Sequence, residues 1–407
     1  MEMSFRLTAV KEMKKKKKLQ VGASRRCRRA PAVTILQIPE DLLTEILLRL
    51  PAKSVVRLKC VSKHWCSLIS SRCFTNLFLN TRRQRRLFMH LVNKENHSEF
   101  ALLSSSPNPN PDSDVSLVKR DLNMPWMLGG EFVSALRGLL CVRVQGRLLI
   151  CNLTTKQLVE LPTIMPEPND NNVWDYFCHD PVHDEYKALN VVWEESKEEG
   201  RVVRSEHHVL VLGPGVSWRR IQSPPPPPHR PCSQGISING VLYYGACIDR
   251  TTSVVMSFDL RSEEFALIKL PLDVTTSSPN LMNYGGTIAV FEYSVSLLAT
   301  NGTVDLWTLE DGGKSIWSNK KSLVLPVSLM NFASGNHLKM QSTTRSGEVR
   351  LAKASIVVNN HVFFLTYDFE RNKITSRVKF NPLSASIGTC LRSNFWDDTE
   401  SIMYLET

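Results

Sequence analysis

No stretch of about 18 consecutive apolar residues occurs in the 407-residue sequence, so no membrane-crossing helix is expected. Paired metal-binding cysteines are missing too. The ten cysteines stand at irregular intervals without a CxxC among them, which argues against a zinc ribbon or a thioredoxin-like centre. Met1–Val10 is too polar for the apolar core of a secretory signal, and Lys14–Lys18 follow it. Free thiols in a reducing compartment are therefore expected, with the chain in the nucleus and/or the cytoplasm and the sequons at Asn96, Asn152 and Asn301 without sugar. The Gly-x-Ser-x-Gly elbow, the phosphate-binding loop and the His-Glu-x-x-His helix are all absent, so the expectation is a protein that is no enzyme and needs no cofactor.

Apolar residues make up 42% and charged residues 22%, as in an ordinary globular protein. The net charge of +11 would suit phosphate binding if it were spread over a folded surface. It is concentrated instead in Lys14–Lys18 and in Arg25, Arg26, Arg28 and Arg29, ahead of any folded pattern, and the remainder is near neutral. A solvated tail or a nuclear import signal accounts for such a run better than nucleic-acid binding.

Helical spacing begins at Pro39, whose missing N–H costs nothing in a first turn, with Glu40 and Asp41 at the positive end of the helix dipole. Leu42, Leu43, Ile46, Leu47 and Leu50 then fall on one arc of roughly 140°, and Pro51 ends the helix. A second helix is expected from Ser54 to Cys60, and a third from Ser62, carrying Trp65, Leu68 and Ile69, with Phe74 and Leu77 as a final anchor. A module of about 45 residues is near the lower limit of independent stability, yet this one is crowded with large apolar groups. Those groups need a second surface, either another protein or a β domain of the same chain.

The string Ile38-Pro39-Glu40-Asp41-Leu42-Leu43-Thr44-Glu45-Ile46-Leu47-Leu48-Arg49-Leu50-Pro51-Ala52-Lys53-Ser54, followed by Lys59-Cys60-Val61-Ser62-Lys63-His64-Trp65-Cys66-Ser67-Leu68-Ile69, resembles the F-box of the large plant family. The resemblance implies that Ile38, Pro39, Leu42, Leu43, Ile46, Leu47, Pro51, Ser54, Leu58, Val61 and Trp65 form the contact with a Skp-type adaptor and the small core behind it. It leaves open which residues do which. Through the adaptor the chain would join a cullin-based ubiquitin ligase.

From about Arg86 the pattern changes to short apolar runs separated by turn residues, the signature of an all-β domain. One unit runs from Leu136 through Leu148-Leu149-Ile150 to Leu161-Pro162, and another from Ile236 around Asn239-Gly240 to Leu270-Pro271. Weaker copies lie at Met282 to Glu292 and at Ile356 to Phe369 around Asn359-Asn360. Asn-Gly has the twist that two-residue hairpins need, and a recurrence of about 45–60 residues suits propeller blades. Asp180 to Lys187, Ser217-Trp218-Arg219 and Ser257-Phe258-Asp259-Leu260 resemble landmarks of the F-box-associated domain, a kelch-like arrangement.

The expected fold is thus α+β and multidomain: an all-α F-box of three short helices, then an all-β propeller-like domain of about six blades. The boundaries are a basic tail at 1–33, the F-box at 34–80, the β domain at 81–395 and a C-terminal tail at 396–407.

Cys178, His179, His183 and Asp184 could ligate a metal by residue type, but Asp180-Pro181 makes a turn there and no metal is expected. His207 and His208 are strand neighbours that point to opposite faces. Pro224–Pro228 reads as a stiff loop between blades. Asp249, Asp259, Asp305 and Asp368 recur near turns, which suits turn formers better than a glycosidase pair. The leading expectation is a receptor that brings an unknown target protein to the ligase. The rivals are a propeller-type carbohydrate binder or enzyme with a helical cap, and an adaptor-bound scaffold or nuclear regulator that never engages cullin.

Overall fold

A computed structural model describes residues 38–81 and, between 86 and 405, all but the segments 94–99, 106–117, 121–129, 165–171, 275–277, 294–302, 327–337, 344–347, 354–355, 358–361, 381–389 and 399. The basic run and the Asn359-Asn360 turn lie outside the described residues. Two compact units, 1–45 and 46–407, divide inside the first helix.

Four helices follow one another: α1 (Glu40–Arg49), α2 (Ala52–Leu58), α3 (Lys63–Ser70) and α4 (Arg72–Thr81). The Pro39 carbonyl accepts from Leu43 N at 3.0 Å to open α1, and Glu40 and Asp41 occupy its first turn. Pro51, not Ser54, stands at the N-cap of α2; the helix starts at Ala52, so Ser54 falls inside its first turn. Ser62 caps α3 as expected, accepting from Trp65 N at 3.2 Å. Ser71 closes α3 and opens α4: its hydroxyl donates to Leu68 O at 2.8 Å and accepts from Phe74 N at 3.1 Å. The expectation of three helices is therefore corrected to four, because a single serine serves both ends and lets the chain turn without a loop. Leu47, Ala52, Val55, Ile69, Phe74, Phe78 and Leu79 are buried. Leu47→Ala is expected to lower the unfolding free energy by about 2–5 kcal/mol, read from urea denaturation.

The β domain opens with β1 (Arg86–Asn93), β2 (Phe100–Ser105) and β3 (Val118–Arg120). The first continuous sheet holds β4 (Glu131–Leu136), β5 (Leu139–Val144), β6 (Arg147–Asn152) and β7 (Leu158–Glu160), and the second β8 (Val173–Asp180), β9 (Glu185–Ser196), β10 (Arg201–Val211) and β11 (Arg219–Arg220). The third holds β12 (Arg230–Pro231), β13 (Ile236–Ile238), β14 (Val241–Cys247), β15 (Ser253–Asp259) and β16 (Phe265–Lys269). The fourth holds β17 (Asn280–Tyr284), β18 (Thr287–Tyr293), β19 (Thr303–Asp311), β20 (Ile316–Trp317) and β21 (Lys321–Val324). Then come β22 (Leu338–Thr343), β23 (Val349–Lys353), β24 (Ile356–Val357), β25 (Val362–Asp368), β26 (Lys373–Phe380) and β27 (Cys390–Asp398). The fifth sheet takes β22, β23, β25 and β26, while β24 and β27 join β1, β2 and β3 in the order β24-β27-β1-β2-β3.

About six blades are expected from the repeats. That is corrected to five: four sheets run through consecutive strands and a fifth skips only β24, while a further sheet is assembled from both ends of the domain, with β1 and β27 antiparallel from Arg86↔Asp398 to Asn93↔Leu391. The hairpin expected around Asn359-Asn360 is corrected as well, since β24 pairs with β27 and β25 with β23. The hairpin at Asn239-Gly240 forms as expected, with Ile238 opposite Val241 and both turn residues at positive φ.

The core lies between adjacent sheets. Leu139, Cys141 and Ile150 of the first sheet pack with Phe177, Ala188 and Leu210 of the second. Leu189 and Val191 meet Leu242, Tyr244 and Met256 of the third. Val255 and Ile268 meet Val290 of the fourth, whose Met282 and Leu306 meet Leu351 and Leu365 of the fifth. Phe88 and Trp396 of the composite sheet close against Leu140 and Val142, completing a propeller ring.

Residues 396–398 and 400–405 pack against the propeller instead of forming the expected tail. Trp396 is core, Ile402 and Leu405 are buried, Asn152 Nδ2 donates to Met403 O at 2.8 Å, and Leu405 N donates to Gln157 Oε1 at 2.7 Å. Two apolar residues too few for a recognisable strand pattern still find an apolar groove.

Candidate docking site

Along α1 the alternation of neighbouring residues sorts the expected contact set. Leu42 and Ile46, one turn apart, are 53% and 49% exposed, whereas Leu43 and Leu47 are 4% and 0% exposed. Ile38 and Val61 are 53% and 58% exposed, and Pro39 and Pro51 face solvent. Ser54, Leu58 and Trp65 are half-buried. The eleven residues therefore divide: Leu43 and Leu47 are interior, Ile38, Pro39, Leu42, Ile46, Pro51 and Val61 are open, and the other three lie between. Isolated exposed leucines are common, but a helix that turns Leu42 and Ile46 outward on one stripe carries an unsatisfied apolar surface, worth ~1.5–3 kcal/mol per side chain once covered.

A latch that the sequence does not announce joins α4 to the propeller. Asn76 Nδ2 donates to Asp184 Oδ2 at 2.6 Å, and the Arg137 guanidinium donates to Asn76 Oδ1 and, through Nε, to Tyr186 Oη at 3.0 Å. His179 Nε2 lies 2.8 Å from Asp184 Oδ1, and the Arg137 guanidinium 3.7 Å from the same oxygen. Arg137 and Asp184 both stand in hairpin turns at positive φ, which aims their side chains at α4. Burial alone would raise the Asp184 carboxyl, but hydrogen bonds from Asn76 and His179 and the Arg137 charge outweigh it and hold it below the usual carboxylate range. Burial, then Arg137, pushes His179 down. Nearby, Lys59 Nζ sits 5.9 Å from the Tyr404 ring centroid, and burial lowers its pKa. Asn76→Ala is expected to remove about 1–3 kcal/mol of stability by breaking two charge-assisted hydrogen bonds, one to Asp184 and one from Arg137, measured as a shift of the denaturation midpoint.

The residues weighed for chemistry take structural work. Cys178 is buried in β8, and His179 and Asp184 belong to the latch. Asp180, His183 and Glu185 bring ligand atoms within 4.8 Å of one another. Asp180 is nevertheless occupied within its own turn, accepting from Val182 N at 2.8 Å and lying 2.7 Å from His183 Nδ1. Asp249, Asp259 and Asp368 do the same work at three further turns, accepting from Thr251 N, Arg261 N and Glu370 N at 2.8, 2.8 and 2.9 Å. Asp305 differs: it sits in β19 and accepts from Ser322 Oγ at 2.6 Å. His207 is buried on β10 and His208 half-buried on the other face; His207 Nε2 lies 3.5 Å from His229 Nε2, which lies 2.9 Å from Tyr244 Oη. Pro224–Pro228 connects β11 to β12 without regular structure.

Helices with an open apolar stripe, followed by a ring of antiparallel sheets to which α4 is latched, define a propeller protein with a short helical module ahead of it. The sequence matches the F-box domain family over residues 35–77 and the F-box associated beta propeller domain family over residues 86–397. It is 48% identical over 355 residues to an Arabidopsis thaliana chain named as an F-box protein, At3g52320, covering 86% of this chain and 89% of that one. The F-box protein At4g19940 of the same plant is 39% identical over 394 residues, covering 91% and 92% of the two chains. The F-box/kelch-repeat protein At4g19930, also from A. thaliana, is 36% identical across the full length of both. The chain belongs to the F-box proteins that carry an F-box associated β-propeller. The β-domain match is to that family and not to a kelch family, so the kelch-like description is not carried forward.

Proposed function

We infer that this protein is the substrate-recognition subunit of a Skp–cullin–F-box ubiquitin ligase. The F-box docks on a Skp-type adaptor and through it on cullin, and the propeller holds a target protein. Ubiquitin transfer is performed by other subunits, and this chain contributes proximity, since tethering raises the target's effective concentration near the charged carrier. The observation that carries the reading is the outward stripe of Leu42 and Ile46 in a chain of the F-box family. Co-expression of the full chain with a Skp-type adaptor and a cullin is expected to give a complex that survives gel filtration. A chain that elutes without adaptor overturns the reading, and one that retains adaptor but never cullin moves it to an adaptor-bound scaffold. We propose a compartment of nucleus and/or cytoplasm, with the basic run of residues 14–29 acting either as a nuclear import signal or as a solvated tail. A fluorescent reporter fused to residues 1–33 that stays excluded from nuclei would remove the import role.

A further inference from the structure

Cys232 and Cys247 meet at the edge of the third sheet. β12 pairs with β14 through Arg230↔Cys247 and Pro231↔Ala246, and Cys232 extends the ladder by donating its N–H to Gly245 O at 2.9 Å. Residue 232 thus stands opposite residue 245, and its side chain emerges on the same face as that of Cys247, one diagonal step away. The two thiols are in hydrogen-bonding contact. Around Cys247 the surroundings favour negative sulfur. Ser253 Oγ lies 3.8 Å from its Sγ, and Arg230, directly across the ladder, reaches the same sulfur while its own buried Nε has no hydrogen-bonded acceptor. The hydrogen bond from Cys232, opposed by burial and aided by Ser253 and Arg230, holds the Cys247 thiol below its ordinary range, with Cys232 correspondingly raised as the partner that keeps the proton.

Among the described residues, the six other thiols lack this arrangement. Cys141, Cys151 and Cys178 are sealed in the sheet cores, and burial drives all three up, Cys151 and Cys178 to about 12. Cys60, Cys66 and Cys73 are exposed on the helices. Cys232 is half-buried at a sheet edge, and Cys247 is 5% exposed.

We propose that Cys232 and Cys247 are a peroxide-oxidisable pair that closes reversibly into a disulfide across the β12–β14 edge. The Cys247 sulfur attacks one peroxide oxygen and the O–O bond breaks. That leaves a sulfenic acid on Cys247, and the departing hydroxide takes up a proton as water. The Cys232 sulfur then attacks Cys247; the S–S bond forms, the S–O bond breaks, and a second water leaves with the Cys232 proton. Two thiols lose two electrons and one peroxide is reduced to two waters; a small thiol reductant reverses the bridge. β12 consists of two residues and starts one residue after Pro224–Pro228, beyond His229, so the bridge pins the outlet of that stiff loop to the third sheet.

Peptide mapping of the full chain after a brief, limiting dose of hydrogen peroxide, with free thiols blocked by alkylation, tests this. The expected result is a linked pair of peptides containing Cys232 and Cys247, two hydrogens lighter than their sum. It should form at least about tenfold faster than Cys73 is oxidised and be restored by dithiothreitol. Cys232→Ser should leave a dimedone-reactive sulfenic acid on Cys247 and no bridge. The wild-type map needs no substitution, so it decides the matter even if that variant folds poorly. Oxidation of Cys73 with Cys232 and Cys247 still alkylated as free thiols overturns the proposal, as does a bridge from either cysteine to any other.

Discussion

A chain carrying Leu42→Asp together with Ile46→Asp is expected to lose affinity for a Skp-type adaptor by at least on the order of 100-fold while keeping its fold. Each side chain, about half exposed in the free protein, offers ~1.5–3 kcal/mol on full burial, and an aspartate in its place would have to shed water to enter an apolar interface. Because both positions face solvent, the same substitutions should move the unfolding free energy by only about 0.5 kcal/mol each. Leu43→Asp or Leu47→Asp should do the reverse, unsettling the helices themselves by placing a carboxylate in the interior. Titration of purified adaptor, read beside circular dichroism, separates the two behaviours. A double variant that binds as wild type would show that the outward stripe serves something else.

Mild acid should loosen the propeller well before its carboxylates titrate. Burial lowers His90 to about 4, and burial, aided by the neighbouring charges of His229, His208 and Arg220, lowers His207 to about 3. Both stay neutral when folded, whereas in the unfolded chain each takes up a proton near pH 6.5. A folded pKa below the unfolded one means that stability is intact above pH 6.5 and drains away as pH falls toward about 4 for His90 and about 3 for His207. Each histidine contributes a slope approaching 1.4 kcal/mol per pH unit, so the pair should remove about 4 kcal/mol between pH 7 and pH 5. Urea denaturation at a series of pH values reads this directly, and His207→Phe should halve the slope. A midpoint that stays level down to pH 5 would contradict it.

Local patterns carried much of the architecture, and distant partners carried the remainder. The α1 stripe, the Ser62 cap and the Asn239-Gly240 hairpin depend on neighbours within a few residues, so spacing alone reveals them. Leu42 and Leu43 fall within the same ~140° arc, so spacing alone does not separate the exposed residue from the buried one. α4 escaped notice because Ser71 leaves no loop between it and α3. Asn76, Arg137 and Asp184 carry no local mark at all: their meeting links residues 61 and 108 positions apart. Ile356–Val357 invited a hairpin with the next strand, yet its partner is the strand at 390–398. Cys232 and Cys247, fifteen positions apart, read as scattered thiols until the ladder set them side by side.

Pairing of β1 with β27 has a consequence for synthesis, because a growing chain leaves the ribosome from its first residue onward. The helices at residues 38–81 emerge ahead of every strand, while the strand that shuts the circle emerges after all the other strands described. Until then the arc of blades has an unmatched edge at either end. A frameshift or stop codon between the helices and residue 390 would leave β1 without its antiparallel partner β27, and the circle would stand open.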